Sequence, residues 1–145
     1  MSWTGLTLDH DNRAQLAQWL DDDTWVIACL CAAWCGTCGS YRTSFEQLAA
    51  LHPDKRFVWI DIEDQADFIG EIDVENFPTL LMQRGGHVAF FGTVLPDMKI
   101  ADRLIDAQAE KSGQQLEAES GSSQERREWQ RLCNLRVLLD NADTA

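Results

Sequence analysis

Apolar positions along this chain follow two rhythms. After Asp11, the residues Leu16, Trp19 and Leu20 recur at helical spacing until Asp21-Asp22-Asp23 breaks the pattern, which predicts a capped helix, with a short strand at Leu6–Leu8 before it. Thr24 to Ala33 is a continuous apolar run that opens with β-branched residues, as a strand buried on both faces does. From Gly36 the helical rhythm returns through Tyr41, Phe45, Leu48 and Leu51, and His52-Pro53 ends it. Phe57 to Ile62 is a second buried strand, followed by a base-free acidic stretch with a short helix expected around Ala66–Ile69. Pro78–Met82 and His87–Phe91, joined by Arg84-Gly85-Gly86, predict a hairpin, and Pro96–Ala109 a further helix.

The predicted order is βαβαββα. Strands separated by helices require parallel crossovers and the late hairpin adds antiparallel pairing, so an α/β fold follows, a mixed sheet with helices on both faces. After Glu110 the chain becomes rich in Ser, Gly, Gln and Glu. We expect a folded domain over 1–110, a flexible linker over 111–123, and an amphipathic helix and tail over 124–145 whose stripe is Trp129, Leu132, Leu135 or Arg136, and Leu139. Such a helix is stable only against an apolar surface, its own domain's or a partner's. It is therefore available for self-association or client contact, and we expect a tail that is either mobile or docked away from Cys35, which a helix fixed over it would cover.

Of the 145 residues, 45% are hydrophobic, enough for one cored domain. No run approaches the roughly 18 apolar residues of a membrane span, and the start at Met1 has no export-signal pattern, so a soluble cytoplasmic protein is expected. The net charge is −12, with 18 acids and 7 bases in residues 1–110. That field repels phosphate backbones and anionic lipid, which argues against nucleic-acid and membrane partners.

Four of the five cysteines, Cys29, Cys31, Cys35 and Cys38, fall within ten residues. Structural bridges tie distant segments, so this cluster points to redox or metal chemistry instead. Trp34-Cys35-Gly36-Thr37-Cys38 lies where a buried strand meets a helix start. Free N–H groups and the helix dipole favour a thiolate there, which makes Cys35 the expected nucleophile and Cys38, one turn on and shielded, the resolving thiol. The two-residue spacer lets the second sulfur return to the first. Two of four candidate metal ligands would be locked in a packed strand, a poor arrangement for tetrahedral closure, so no metal site is assigned.

These residues, with Asn76-Phe77-Pro78-Thr79 and with Gly86 and Gly92 around the hairpin, resemble the thioredoxin family over about residues 5–110. The resemblance implies the thioredoxin fold and a thiol–disulfide oxidoreductase with a Cys35/Cys38 pair, supported by Trp34, Gly36, Thr37 and a cis Pro78. It further implies substrate contact through Glu75, Asn76, Phe77 and Gly92, with residue 77 offering backbone bonds to a substrate strand. Its partners would be disulfide-bearing proteins and an external thiol or disulfide reductase; no cofactor is called for, since no Gly-rich phosphate loop follows a strand.

The chain departs from the family pattern at several points. Thr37 replaces the usual proline between the cysteines, and Glu75-Asn76 brings acid to the rim beside Pro78. The family's buried aspartate and its lysine partner are replaced together by Cys29 and Trp59, which removes the usual proton acceptor for Cys38. Cys29 and Cys31 share one strand face, where each serves most simply as a small hydrophobe, and Cys29 offers an alternative bridge to Cys38 under oxidation. Cys133 is a packing residue, Trp3, Trp19, Trp25 and Trp59 are core, and His10, His52 and His87 have no assigned role. The competing functional class is a thioredoxin-like adaptor or chaperone-like binding module with weakened redox activity.

Overall fold

The computed structural model describes residues 5–32, 35–70, 72, 74 and 77–143. In chain order these form β1 (Leu6–Thr7), α1 (Arg13–Asp21), β2 (Trp25–Cys31), α2 (Gly36–Leu51), β3 (Arg56–Asp61), α3 (Ala66–Ile69), β4 (Thr79–Arg84), β5 (His87–Thr93) and α4 (Met98–Ala109). The five strands lie in the order β1-β3-β2-β4-β5; β2 runs parallel to β3 and antiparallel to β4. This is the mixed sheet expected from the crossovers and the hairpin. The hairpin turns on Gly85-Gly86 alone, with Gly85 at φ +56° and Arg84 still in β4, because a two-residue turn of matching twist needs a residue that tolerates positive φ.

Every residue of β2 is buried, and its side chains alternate between two cores. Val26, Ala28 and Leu30 pack with Leu16, Leu20, Val58, Ile60 and Phe68 on the α1 and α3 side. Ile27, Cys29 and Cys31 pack with Tyr41, Phe45, Leu48, Phe57 and Ile105 beneath α2 and α4. Trp19, Trp25 and Trp59 are core as expected, while Trp3 lies outside the described residues. His52, to which no role was assigned, is buried at the end of α2 and its Nε2 lies 2.6 Å from Asp102 Oδ1, tying α2 to α4.

The segment expected as a flexible linker contains a helix, α5 (Gly113–Ser120). Its start is held by a capping box: Ser112 Oγ accepts from Gln115 N at 3.2 Å, and Gln115 Oε1 accepts from Ser112 N at 2.8 Å. Leu116 then sinks into the α2–α4 core at 2% exposure. The single tail helix expected from residue 124 is instead broken into α6 (Gln124–Glu128), a π-helical turn (Trp129–Cys133) and α7 (Leu135–Asp143). Its register shifts accordingly. Cys133, Leu135, Leu138 and Leu139 are buried against the α1–α3 core, with Trp129 and Leu132 partly covered. The tail docks on its own domain, and α7 lies across the sheet from the clustered cysteines.

Polar groups fix that docking. Gln83, fully buried, donates through Nε2 to Asn134 Oδ1 at 2.8 Å and accepts from Leu135 N through Oε1 at 2.8 Å. Asn134 Nδ2 donates to Gly86 O at 2.9 Å. Gln130 both accepts from Val88 N at 2.8 Å and donates to Val88 O at 2.9 Å. Arg136 pairs with Asp21 on α1.

Candidate active site

The end of β2 and the start of α2 build the site. Cys35 N donates to Ala32 O at 3.0 Å, and Cys35, in extended conformation at φ −86° and ψ 118°, is the capping residue of α2. Its carbonyl accepts from Gly39 N at 3.2 Å. Cys35 is half-buried, Gly36 and Thr37 are exposed on the first turn, and Cys38 is 2% exposed. Among the described residues, nothing lies within 4 Å of a Cβ built at Gly36, so their packing does not require glycine there.

The sulfurs are paired differently from the sequence expectation. Cys38 forms a disulfide with Cys31, with Cα atoms 5.8 Å apart, and Cys35 carries a free thiol. Cys29, the alternative partner read from the sequence, is not the one bonded; its Sγ lies 3.9 Å from Cys31 Sγ. The reason is reach: both cysteines face α2, but β2 runs toward the helix start, and two residues of strand bring Cys31 about 6.6 Å further along.

The replaced charge pair is visible as a contact. Cys29 stands opposite Trp59 in the β2–β3 register, and burial pushes its thiol strongly up, opposed only in part by Arg42. The Arg42 guanidinium sits 4.9 Å from the Trp59 ring centroid and donates to Glu46 Oε2 and Thr7 Oγ1, each at 2.9 Å. A positive charge from α2 thus stands over the region where the sequence alone suggested only neutral residues. A cleft of about 280 Å³, lined by Ala32, Cys38, Gly39, Arg42, Trp59 and Asp61, brings a guanidinium and a carboxylate to the rim beside Cys38. On the dry side, Tyr41 Oη is buried without a hydrogen bond among the described residues, and burial raises its phenol pKa further.

The Phe77–Pro78 peptide is cis, as the motif implies. Pro78 O accepts from Val94 N at 3.1 Å, and Phe77 packs partly buried against the same core as Cys35. Gly92 pairs with Leu80, and a Cβ there would lie 3.3 Å from the Phe90 ring, so this glycine lets the aromatic ring pack close. Trp34, Glu75 and Asn76 lie outside the described residues.

The Thioredoxin family model matches residues 7–105. The chain belongs to the thioredoxin family. A thioredoxin of Mycoplasmoides gallisepticum is 30% identical over 78 residues, 54% of this chain and 78% of that protein. The thioredoxin-like protein CXXS1 of rice (Oryza sativa subsp. japonica) is 30% identical over 90 residues, 61% of this chain and 65% of its own length. Among solved structures, poplar thioredoxin h superposes with a TM-score of 0.64 at 23% identity, covering 74% of this chain and 97% of that one. Oxidised thioredoxin O1 of Arabidopsis thaliana superposes with a TM-score of 0.59 at 20% identity, covering 71% and 95%. These neighbours establish the thioredoxin fold, and family membership supports thiol–disulfide oxidoreductase chemistry in general. Among the described residues, no helix is long and apolar enough to cross a membrane.

Proposed function

We propose that this thioredoxin-family protein exchanges disulfides with protein substrates, with Cys35 as attacking thiol and Cys38 as resolving thiol. The observation that supports this reading is the placement of Cys35, half-exposed at the cap of α2, with Cys38 buried one turn behind it. In the proposed cycle the Cys35 thiolate attacks a client disulfide, one client sulfur leaves, and a mixed disulfide remains. Cys38 then attacks Cys35 Sγ, releases the second client thiol and closes a Cys35–Cys38 bond. An external reductase or small thiol in a reducing compartment such as the cytoplasm restores the pair. Phe77, Gly92, Glu75 and Asn76 would border the bound client segment beside Pro78, with Trp34 and Thr37 flanking the sulfurs.

The test is reductase-coupled turnover of a generic protein disulfide. Cys35→Ser should abolish turnover, and Cys38→Ser should keep the attack and accumulate mixed disulfides. Activity in the first variant together with no trapping in the second would overturn the assignment. The bond that holds Cys38 to Cys31 favours a second reading, an adaptor that captures clients through Cys35 alone; it requires client retention without turnover in the unaltered protein.

A further inference from the structure

Three cysteines, not two, meet where the end of β2 adjoins the start of α2: Cys31, Cys35 and Cys38. Cys31 is bonded to Cys38, and its Sγ is also 3.9 Å from Cys29 Sγ. Cys35 is in the same helical turn as Cys38 and packs against the same core. Cys38 is therefore the shared member of two alternative pairs. Its Cα separation from Cys31 falls within the ordinary disulfide range, so that pair closes without backbone movement.

We propose that Cys31 is a third redox-active thiol of this site, one that takes Cys38 over from Cys35 by intramolecular exchange. The inference rests on the reading of Cys35 and Cys38 as the working pair. Once a client has been reduced and the Cys35–Cys38 bond has formed, Cys31 loses its proton and its Sγ attacks Cys38 Sγ. The Cys31–Cys38 bond forms, the Cys35–Cys38 bond breaks, and Cys35 leaves as a thiolate that takes up a proton. One disulfide is consumed and one is made, so no external oxidant or reductant enters the step.

Cys29 does not take this part. It stands two residues further back along β2, away from the start of α2, and it forms no disulfide. Cys133 belongs to the other core, across the sheet. The result is an oxidised protein that still presents a thiol at Cys35. Such a protein can attack a second client disulfide, but it has no free Cys38 with which to release that client.

The full chain is reduced and treated with a stoichiometric protein disulfide, acid-quenched at intervals, alkylated with N-ethylmaleimide and cut with chymotrypsin. Cleavage after Trp34 puts Cys29 and Cys31 in one peptide and Cys35 and Cys38 in the next. The expected course is an early species with the bond inside the second peptide, followed by cross-linked peptides in which Cys35 is alkylated. Cys31→Ala should stop at the early species, with alkylation of Cys35 falling from nearly complete to nearly absent. In Cys35→Ser the cross-link should form far more slowly, because the relay has lost its entry point. A cross-link that forms equally fast in Cys35→Ser would show a static structural bridge and overturn the proposal, as would identical maps for the unaltered chain and Cys31→Ala. Failure of the Cys35/Cys38 reading itself is seen separately, as turnover that survives Cys35→Ser.

Discussion

Cys29 stands between Trp59 and Leu80 in the sheet, fully enclosed, at a position where the family pattern has a carboxylate. Cys29→Asp should cost on the order of 3 kcal/mol in urea denaturation, since a buried charge without a dedicated partner is poorly compensated. The same carboxylate would lie beside the sulfurs and accept the proton they must lose, so resolution of mixed disulfides should speed up. No change in either quantity would mean that position 29 is not coupled to Cys38. Cys133 makes a pH prediction. Burial, helped by Glu128, pushes its thiol from an ordinary value of 9.0 up to about 12. The folded state therefore keeps the proton more tightly than the unfolded state; the associated stability is fully present below pH 9 and is lost as pH rises toward 12. Cys133→Ala should flatten that part of the stability curve. The cysteine motif was legible in the sequence because its residues are neighbours along the chain. The Cys31–Cys38 bond was not, because it depends on how far β2 extends beneath α2. Arg42 over Trp59 was hidden for a related reason: nothing local in Tyr41-Arg42-Thr43 says which strand the guanidinium will cover.

The strands and helices that carry a single rhythm, β2, β3, α2 and α4, were readable from hydrophobic periodicity because burial alone fixes them. The tail elements depend on partners distant in sequence. Its Ser/Gly/Gln composition suggested a linker, yet Ser112 and Gln115 stand at capping-box spacing and Leu116 supplies the buried anchor. Ser112→Ala should destabilise the protein by about 1 kcal/mol in thermal or urea melts. The break at Asn134 has no signal in the local pattern, since its side chain answers Gln83 and Gly86 across 51 and 48 residues. Asn134→Ala removes that acceptor and donor together and should cost about 1–3 kcal/mol, read as a lowered Tm. Gln83→Leu should cost at least as much, because Leu135 N would lose its acceptor in a buried setting.

At the scale of the whole molecule, the tail completes a core that the first 110 residues leave uncovered. Leu135, Leu138 and Leu139 lie against Leu16, Leu20 and Val58, on the face of the sheet opposite the sulfurs. Truncation after Glu110 should therefore lower Tm sharply and weaken amide-exchange protection in α1 and β3. A truncated chain with an unchanged melt and faster turnover would instead identify the tail as an inhibitory cover. The two hydrogen bonds between the Gln130 amide and Val88 have a further consequence for chains that lose the tail. β5 is the outermost strand of its side of the sheet, and a bare strand there is a template onto which another molecule can zip. The Gln130 side chain mimics one rung of that missing neighbour, and α5 lies alongside the strand as well. A shortened or proteolysed chain would thus expose an adhesive margin. Its loss from solution should accelerate with concentration, as light scattering would record, in the manner of polymerisation and not of simple melting.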